Sequence, residues 1–141
     1  MRKILIALTL LATAGNAAAA TLTMTKTPTC GCCTAWAEHM RKAGFQVVTK
    51  VAADVTPTAK RLGVPDMLRS CHTAEVGGYA IEGHVTASDV KRLLVTKPKA
   101  DGIAVPGMPM GSPGMEHGAH KQPYATVLFD RAGNTRLFAR H

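Results

Sequence analysis

The chain has 141 residues, a formal net charge of +8 and four cysteines. Its Lys and Arg residues are scattered, with no run of five and only 4% aromatics, which excludes nucleic-acid binding as the main function. The length suits one domain with a modest core.

Met1-Arg2-Lys3 is a short basic start, and Ile4 to Ala12 is an apolar run too short to span a bilayer. Small residues follow, and Ala18-Ala19-Ala20 supplies an A-x-A cleavage pattern, so residues 1–20 read as a secretory signal peptide. The domain is then residues 21–141, exported to the periplasm and free of the membrane once the signal is cleaved. Thr21 to Thr25 reads as a strand. Cys30-Gly31-Cys32-Cys33 follows, holding a C-x-C and a C-x-x-C spacing at once. A helix from Thr34 to Ala43 comes next, with Trp36, Ala37 and Met40 on its apolar stripe and Gly44 as its stop. His39 and Met40 are read as structural. Phe45 to Val51 alternates as a strand, completing a β-α-β unit with the thiols at a strand's carboxyl end. A cysteine turn at a helix N-terminus favours thiolate, the form that attacks disulfides and binds soft metals.

Thr56-Pro57 is expected to cap and open a short helix ending at Gly63. Ser70 to Ala74 and Tyr79 to Gly83 read as two strands joined at Gly77-Gly78. Strand alternation sends Cys71 and His72 to opposite faces. Tyr79 and Glu82 read as ordinary strand residues, and His84 falls at the level of a site at strand ends. Thr86 and Asp89 approximate a capping box for a helix carrying Val90, Leu93 and Leu94. From Gly102 to Pro123 the density of Gly and Pro predicts a long loop without regular structure, rich in soft ligands: Met108, Met110, Met115, His117 and His120. Tyr124 to Phe129 and Thr135 to Ala139 form a C-terminal β-hairpin, and His141 is expected in solvent.

In an exported protein, cysteines crowded into one turn argue for chemistry rather than stapling. Thiolates, thioethers and imidazoles together are the set that selects Cu(I). The candidate metal ligands are Cys30, Cys32, Cys33 and Cys71, with His84, Met108, Met110, Met115 and His117 as further candidates. Two other uses of the same residues stay open: a thiol–disulfide oxidoreductase built on Cys30 and Cys33, and a copper chaperone. Zinc suits the cluster less well, because a closed four-cysteine site prefers two separated knuckles.

The cysteine turn with Trp36 and His39-Met40, Ser70-Cys71-His72-Thr73-Ala74, Ile81-Glu82-Gly83-His84-Val85, and Ala104 to Glu116 together resemble the CopG-type family of exported bacterial copper-resistance proteins. The resemblance runs from Thr21 to Phe138. It implies an α/β, thioredoxin-like single domain in which Cys30, Cys32, Cys33 and Cys71 hold several copper ions, chiefly as Cu(I). The implied role is copper tolerance by sequestration and Cu(I)/Cu(II) interconversion, a possible copper oxidoreductase working beside other periplasmic copper-handling proteins. The resemblance extends to His84 and the Met-rich loop but not to His117 and His120.

Overall fold

The computed structural model describes residues 19–141; the signal-peptide reading lies outside the described residues. The chain order is β1 (Thr21–Lys26), α1 (Gly31–Lys42), β2 (Gln46–Val51), α2 (Thr56–Arg61), a 3-10 turn (Asp66–Leu68), β3 (His72–Val76), β4 (Tyr79–Glu82), α3 (Ala87–Thr96), β5 (Gly102–Ala104), β6 (Ala125–Phe129) and β7 (Thr135–Arg140). The strands make one seven-stranded mixed sheet in the order β2-β1-β3-β4-β5-β6-β7. β1 runs parallel to β2 and β4 parallel to β5, while the other neighbours are antiparallel. No helix among the described residues is long and apolar enough to cross a membrane.

Strand periodicity divides the core into two layers. Ile81, Ile103 and Leu128 pack with Trp36, Met40, Val90 and Leu93 of α1 and α3, while their neighbours Ala80, Ala104 and Phe129 pack with Ala59, Val64 and Leu68 around α2. The apolar stripe expected on α1 is buried as Cys33, Trp36, Ala37 and Met40. Trp36 is fully buried, and its indole N–H donates to the Val85 carbonyl at 2.8 Å, which ties α1 to the chain just beyond β4. Burying a side chain of that size contributes about 3 kcal/mol or more.

Several boundaries differ from expectation. α1 begins at Gly31 rather than Thr34, because Cys30 itself is the N-cap and its Sγ accepts the Cys33 N–H at 3.3 Å. α2 begins at Thr56 after Val55, and the Thr56 amide is held by Asp54 Oδ1 at 2.8 Å. The stretch expected to be irregular contains β5, which pairs with Ala80–Glu82 on one side and Val127–Phe129 on the other. Gly-Ile-Ala is too short to announce itself by periodicity and forms because both neighbours present open ladders. The loop that remains, residues 105–124, carries a short bridge between His117 and His120. The hairpins β3–β4 and β6–β7 form as read.

Candidate metal centre

The cysteine turn sits at the N-terminus of α1, beside the entry to β3. Because the helix starts one residue after Cys30, Cys32 and Cys33 lie in its first turn, where free amide N–H groups favour negative charge. Cys30 and Cys33 are joined in a disulfide, while Cys32 and Cys71 are free thiols. Cys32 Sγ stands 3.5 Å from Cys30 Sγ and 3.7 Å from Cys71 Sγ, and all four sulfurs lie within 4.8 Å of one another. Cys71, 39 residues beyond Cys32, has therefore been brought to the three sulfurs of the turn.

Cys71 precedes β3 rather than belonging to it, and this overturns the alternation argument for His72. With the strand starting at His72, Cys71 is free to turn towards the cluster while His72 points into the same layer as Ala74 and Val76. The outcome is convergence: His72 Nδ1 is 3.7 Å and His84 Nε2 is 3.3 Å from Cys71 Sγ. The His72 ring packs on Trp36 at 4.5 Å between centroids and meets His84 edge-on at 5.1 Å. Both imidazoles are fully buried. Burial, then the neighbouring His84, pushes the His72 pKa down to about 3, and burial lowers that of His84, so both rings are neutral and able to ligate. His84 Nδ1 faces the Pro113 carbonyl at 2.8 Å; a carbonyl only accepts, so Nδ1 carries the proton and the bare Nε2 faces Cys71. Burial and the adjacent Cys32 push the Cys71 thiol up to about 11, so without a metal it stays protonated.

The loop 105–124 lies across this cluster. Ser70 Oγ donates to the Gly107 carbonyl, His84 holds Pro113, and His39 Nε2 pairs with Glu116 Oε1 at 2.7 Å. Gly114, at φ +85°, sits so close to α1 that a Cβ would lie 2.6 Å from the Cys32 carbonyl oxygen and 2.9 Å from the Trp36 amide. Of the candidate ligands in the loop, Met108 lines a pocket of about 340 Å3 with Arg69, Ser70, Cys71 and Gly107, and is 52% exposed. Met110 is half-buried and its backbone is tied to Gln122. Met115 is half-buried just beyond the Gly114 contact, while His117 and His120 are exposed. His39, read as purely structural, is one half of the strap that holds the loop to α1.

Glu82 was read as an ordinary strand residue and is not one. It is fully buried, and its two carboxylate oxygens accept the Ser70 amide and the Thr73 hydroxyl, each at 2.6 Å. These donors flank Cys71 and His72, so Glu82 clamps the segment that carries them. Burial pushes its pKa up to about 7, against the opposing pull of those two hydrogen bonds. A signal was present in the sequence: a lone Glu in an apolar strand opposite Thr73. His141, expected in solvent, stacks on Tyr124 and pairs through Nε2 with the buried Asp89 carboxylate at 2.8 Å.

Two solved structures of a copper resistance protein, CopG, are similar to this chain. Form 2 shares 39% identity over 87% of this chain and 98% of its own, with a TM-score of 0.81. Form 1 shares 40% over 86% and 96%, also at 0.81. The chain belongs to the CopG copper-resistance family. The family described as "Protein of unknown function, DUF411" matches residues 68–115, a span that holds Cys71, His72, Glu82, His84 and the loop through Met115. No curated protein sequence matches the chain. CopG family membership and the clustered sulfurs fit a copper-related function.

Proposed function

We propose that this chain is a periplasmic copper-binding protein that holds several Cu(I) ions on Cys30, Cys32, Cys33 and Cys71 and contributes to copper resistance by sequestration and Cu(I)/Cu(II) interconversion. The observation that carries the reading is the convergence of four sulfurs within 4.8 Å. Two thiolates sharing a metal at ~2.3 Å stand about 3.8 Å apart in tetrahedral geometry, and Cys32 and Cys71 are 3.7 Å apart. The donor set suits the metal, since thiolates prefer Cu(I) over harder ions. Loading the full set requires the Cys30–Cys33 disulfide to be reduced. In the opposite direction, closing that disulfide from two thiols releases two electrons and two protons, enough to convert two Cu(II) to two Cu(I). We assign the fold to the thioredoxin-like class, on the order β2-β1-β3-β4 with the reactive turn between β1 and α1.

The second reading, thiol–disulfide exchange through Cys30 and Cys33, is favoured by one observation: that pair is the one joined. A Cys71→Ser variant separates the two. With the protein reduced anaerobically and loaded with Cu(I), elemental analysis of the wild type should give several coppers per chain, with its thiols protected from alkylation. Cys71→Ser should lose most of that copper while keeping a reducible Cys30–Cys33 pair. Reduced wild-type protein that takes up no Cu(I) sinks the copper reading and leaves thiol exchange.

A further inference from the structure

The loop that lies across the sulfur cluster carries two histidines that take no part in the centre described above. We propose that His117 and His120, paired across the tip of that loop, form a separate two-imidazole site for a divalent transition ion, Cu(II) foremost.

Three observations point there. The first is pairing. His117 and His120 form an antiparallel bridge, in which the His120 N–H donates to the His117 carbonyl at 3.3 Å. Gly118, at φ +60°, takes the first central position of the turn between them, the place that a type II′ hairpin reserves for glycine. Directly opposed residues project to one side of the ribbon, with Cβ atoms about 4.5–5.5 Å apart. Two imidazole nitrogens on one ion at ~2.0 Å stand about 3 Å apart, a separation that both rings reach from such a base by side-chain rotation alone. The second is direction. Glu116 turns to the protein, where its carboxylate accepts the Gly114 N–H at 2.8 Å and pairs with His39. The stem of Lys121 lies against Gly111, its Cγ 2.9 Å from where a Cβ on that glycine would stand. With both neighbours directed inward, alternation sends His117 and His120 outward, and both are exposed. The third is anchorage. At the base of the hairpin the Gln122 N–H donates to the Met110 carbonyl at 2.9 Å, and Gln122 Oε1 accepts the Met110 N–H at 2.8 Å. Glu116 ties down the other arm. The two rings therefore start from a fixed spacing, and the second ligand closes on the ion without the entropy cost of ordering a free loop.

The chemistry is set by nitrogen. Imidazole suits copper, zinc and nickel, and among divalent first-row ions such donors bind Cu(II) most tightly, whereas the thiolates beneath the loop prefer Cu(I). Water fills the remaining positions of an ion held on the outer side of the loop. The site needs no thiolate and is indifferent to the state of the Cys30–Cys33 pair, so it stands independently of the reading above.

The test uses untagged Cys32→Ser/Cys71→Ser protein with the Cys30–Cys33 disulfide closed, so that no free thiol reduces or captures the ion. Cu(II) titration followed by electron paramagnetic resonance should show a first equivalent whose superhyperfine lines report two nitrogen ligands. His117→Ala and His120→Ala, both at exposed positions, should each weaken that first Cu(II) at least about tenfold by breaking the chelate, with an unchanged circular-dichroism spectrum. Should the double-serine protein fail to fold, histidine-labelled wild-type protein supplies the second measurement: Ni(II), which thiols do not reduce, must broaden the ring resonances of His117 and His120 together. A first Cu(II) whose affinity neither substitution alters, a spectrum that reports a single nitrogen ligand, or Ni(II) that leaves either ring sharp overturns the proposal. None of these outcomes bears on Cu(I) uptake by the four cysteines.

Discussion

Replacing Glu82 by Gln probes how the Cys71 segment is held, and the structure dictates a pH signature for it. The Glu82 pKa rises from 4.5 to about 7 in the folded protein, chiefly through burial. Between these values the native state holds a proton that the unfolded chain has released, so stability falls as pH rises. A shift of that size corresponds to about 3 kcal/mol, present below pH 4.5 and lost by pH 7 or just above. Gln cannot ionise and does not incur this loss. Like the protonated acid, Gln keeps one oxygen to accept the Ser70 N–H and turns a donor to the Thr73 hydroxyl, which can accept, so both buried hydrogen bonds survive. Urea unfolding of the metal-free disulfide form at pH 4.5, 5.5, 6.5 and 7.5 measures the effect. Glu82→Gln should be close to wild type at the acid end and should gain about 3 kcal/mol on it by the neutral end. Buried His72, its pKa pushed down to about 3, acts with the opposite sign, contributing stability that grows as pH rises towards 6.5. That effect is common to both proteins and cancels in the difference. A difference that stays flat across the range refutes the account of Glu82 as a buried, proton-holding clamp.

Two further substitutions test the parts around the cluster. Gly114→Ala places a Cβ against the Cys32 carbonyl oxygen and the Trp36 amide, backbone atoms that cannot yield, in a φ region hostile to side chains; it should cost about 1–3 kcal/mol and raise the alkylation rate of Cys32 as the loop lifts. Asp89→Ala removes the shared acceptor of the Thr126 hydroxyl and His141, on a carboxylate that is only 5% exposed. Thermal unfolding should report a loss of about 2–4 kcal/mol, with Cu(I) uptake unchanged.

What could be read from the sequence follows from where local rules operate without competition. The stripe of Cys33, Trp36, Ala37 and Met40 obeys helical spacing, and the Gly77-Gly78 hairpin carries its own turn chemistry, so both elements emerged as expected. The crowding of three cysteines in four residues marked the site directly. The misses share a cause, which is that a neighbour in space overrode a rule along the chain. Helix α1 begins at Gly31, earlier than the expected Thr34, because a thiol supplies the cap. His72 was sent away from Cys71 by strand alternation, a rule that fails by one residue because pairing starts at His72 itself. β5 depends wholly on the ladders of β4 and β6. His141 finds Asp89 only because β7 returns the chain to Tyr124.

The misses concern the residues that make the site more than a cysteine cluster. Cys30, Cys32 and Cys33 are delivered by one rigid turn, but Cys71 is delivered by a segment with no regular structure of its own, suspended between the 3-10 turn and β3. Such a segment keeps its geometry only if its neighbours hold it. Glu82 does so from within the sheet through Ser70 and Thr73, and the loop does so from outside through the Ser70–Gly107 contact. His84 connects the two, because Pro113 orients its ring and that ring meets Cys71. Lifting the loop would therefore free the Cys71 region and release His84 from its fixed tautomer in one movement. In the disulfide form Cys71 is the free thiol with imidazole neighbours, so its surroundings are set by how firmly Glu82 and the loop hold its segment.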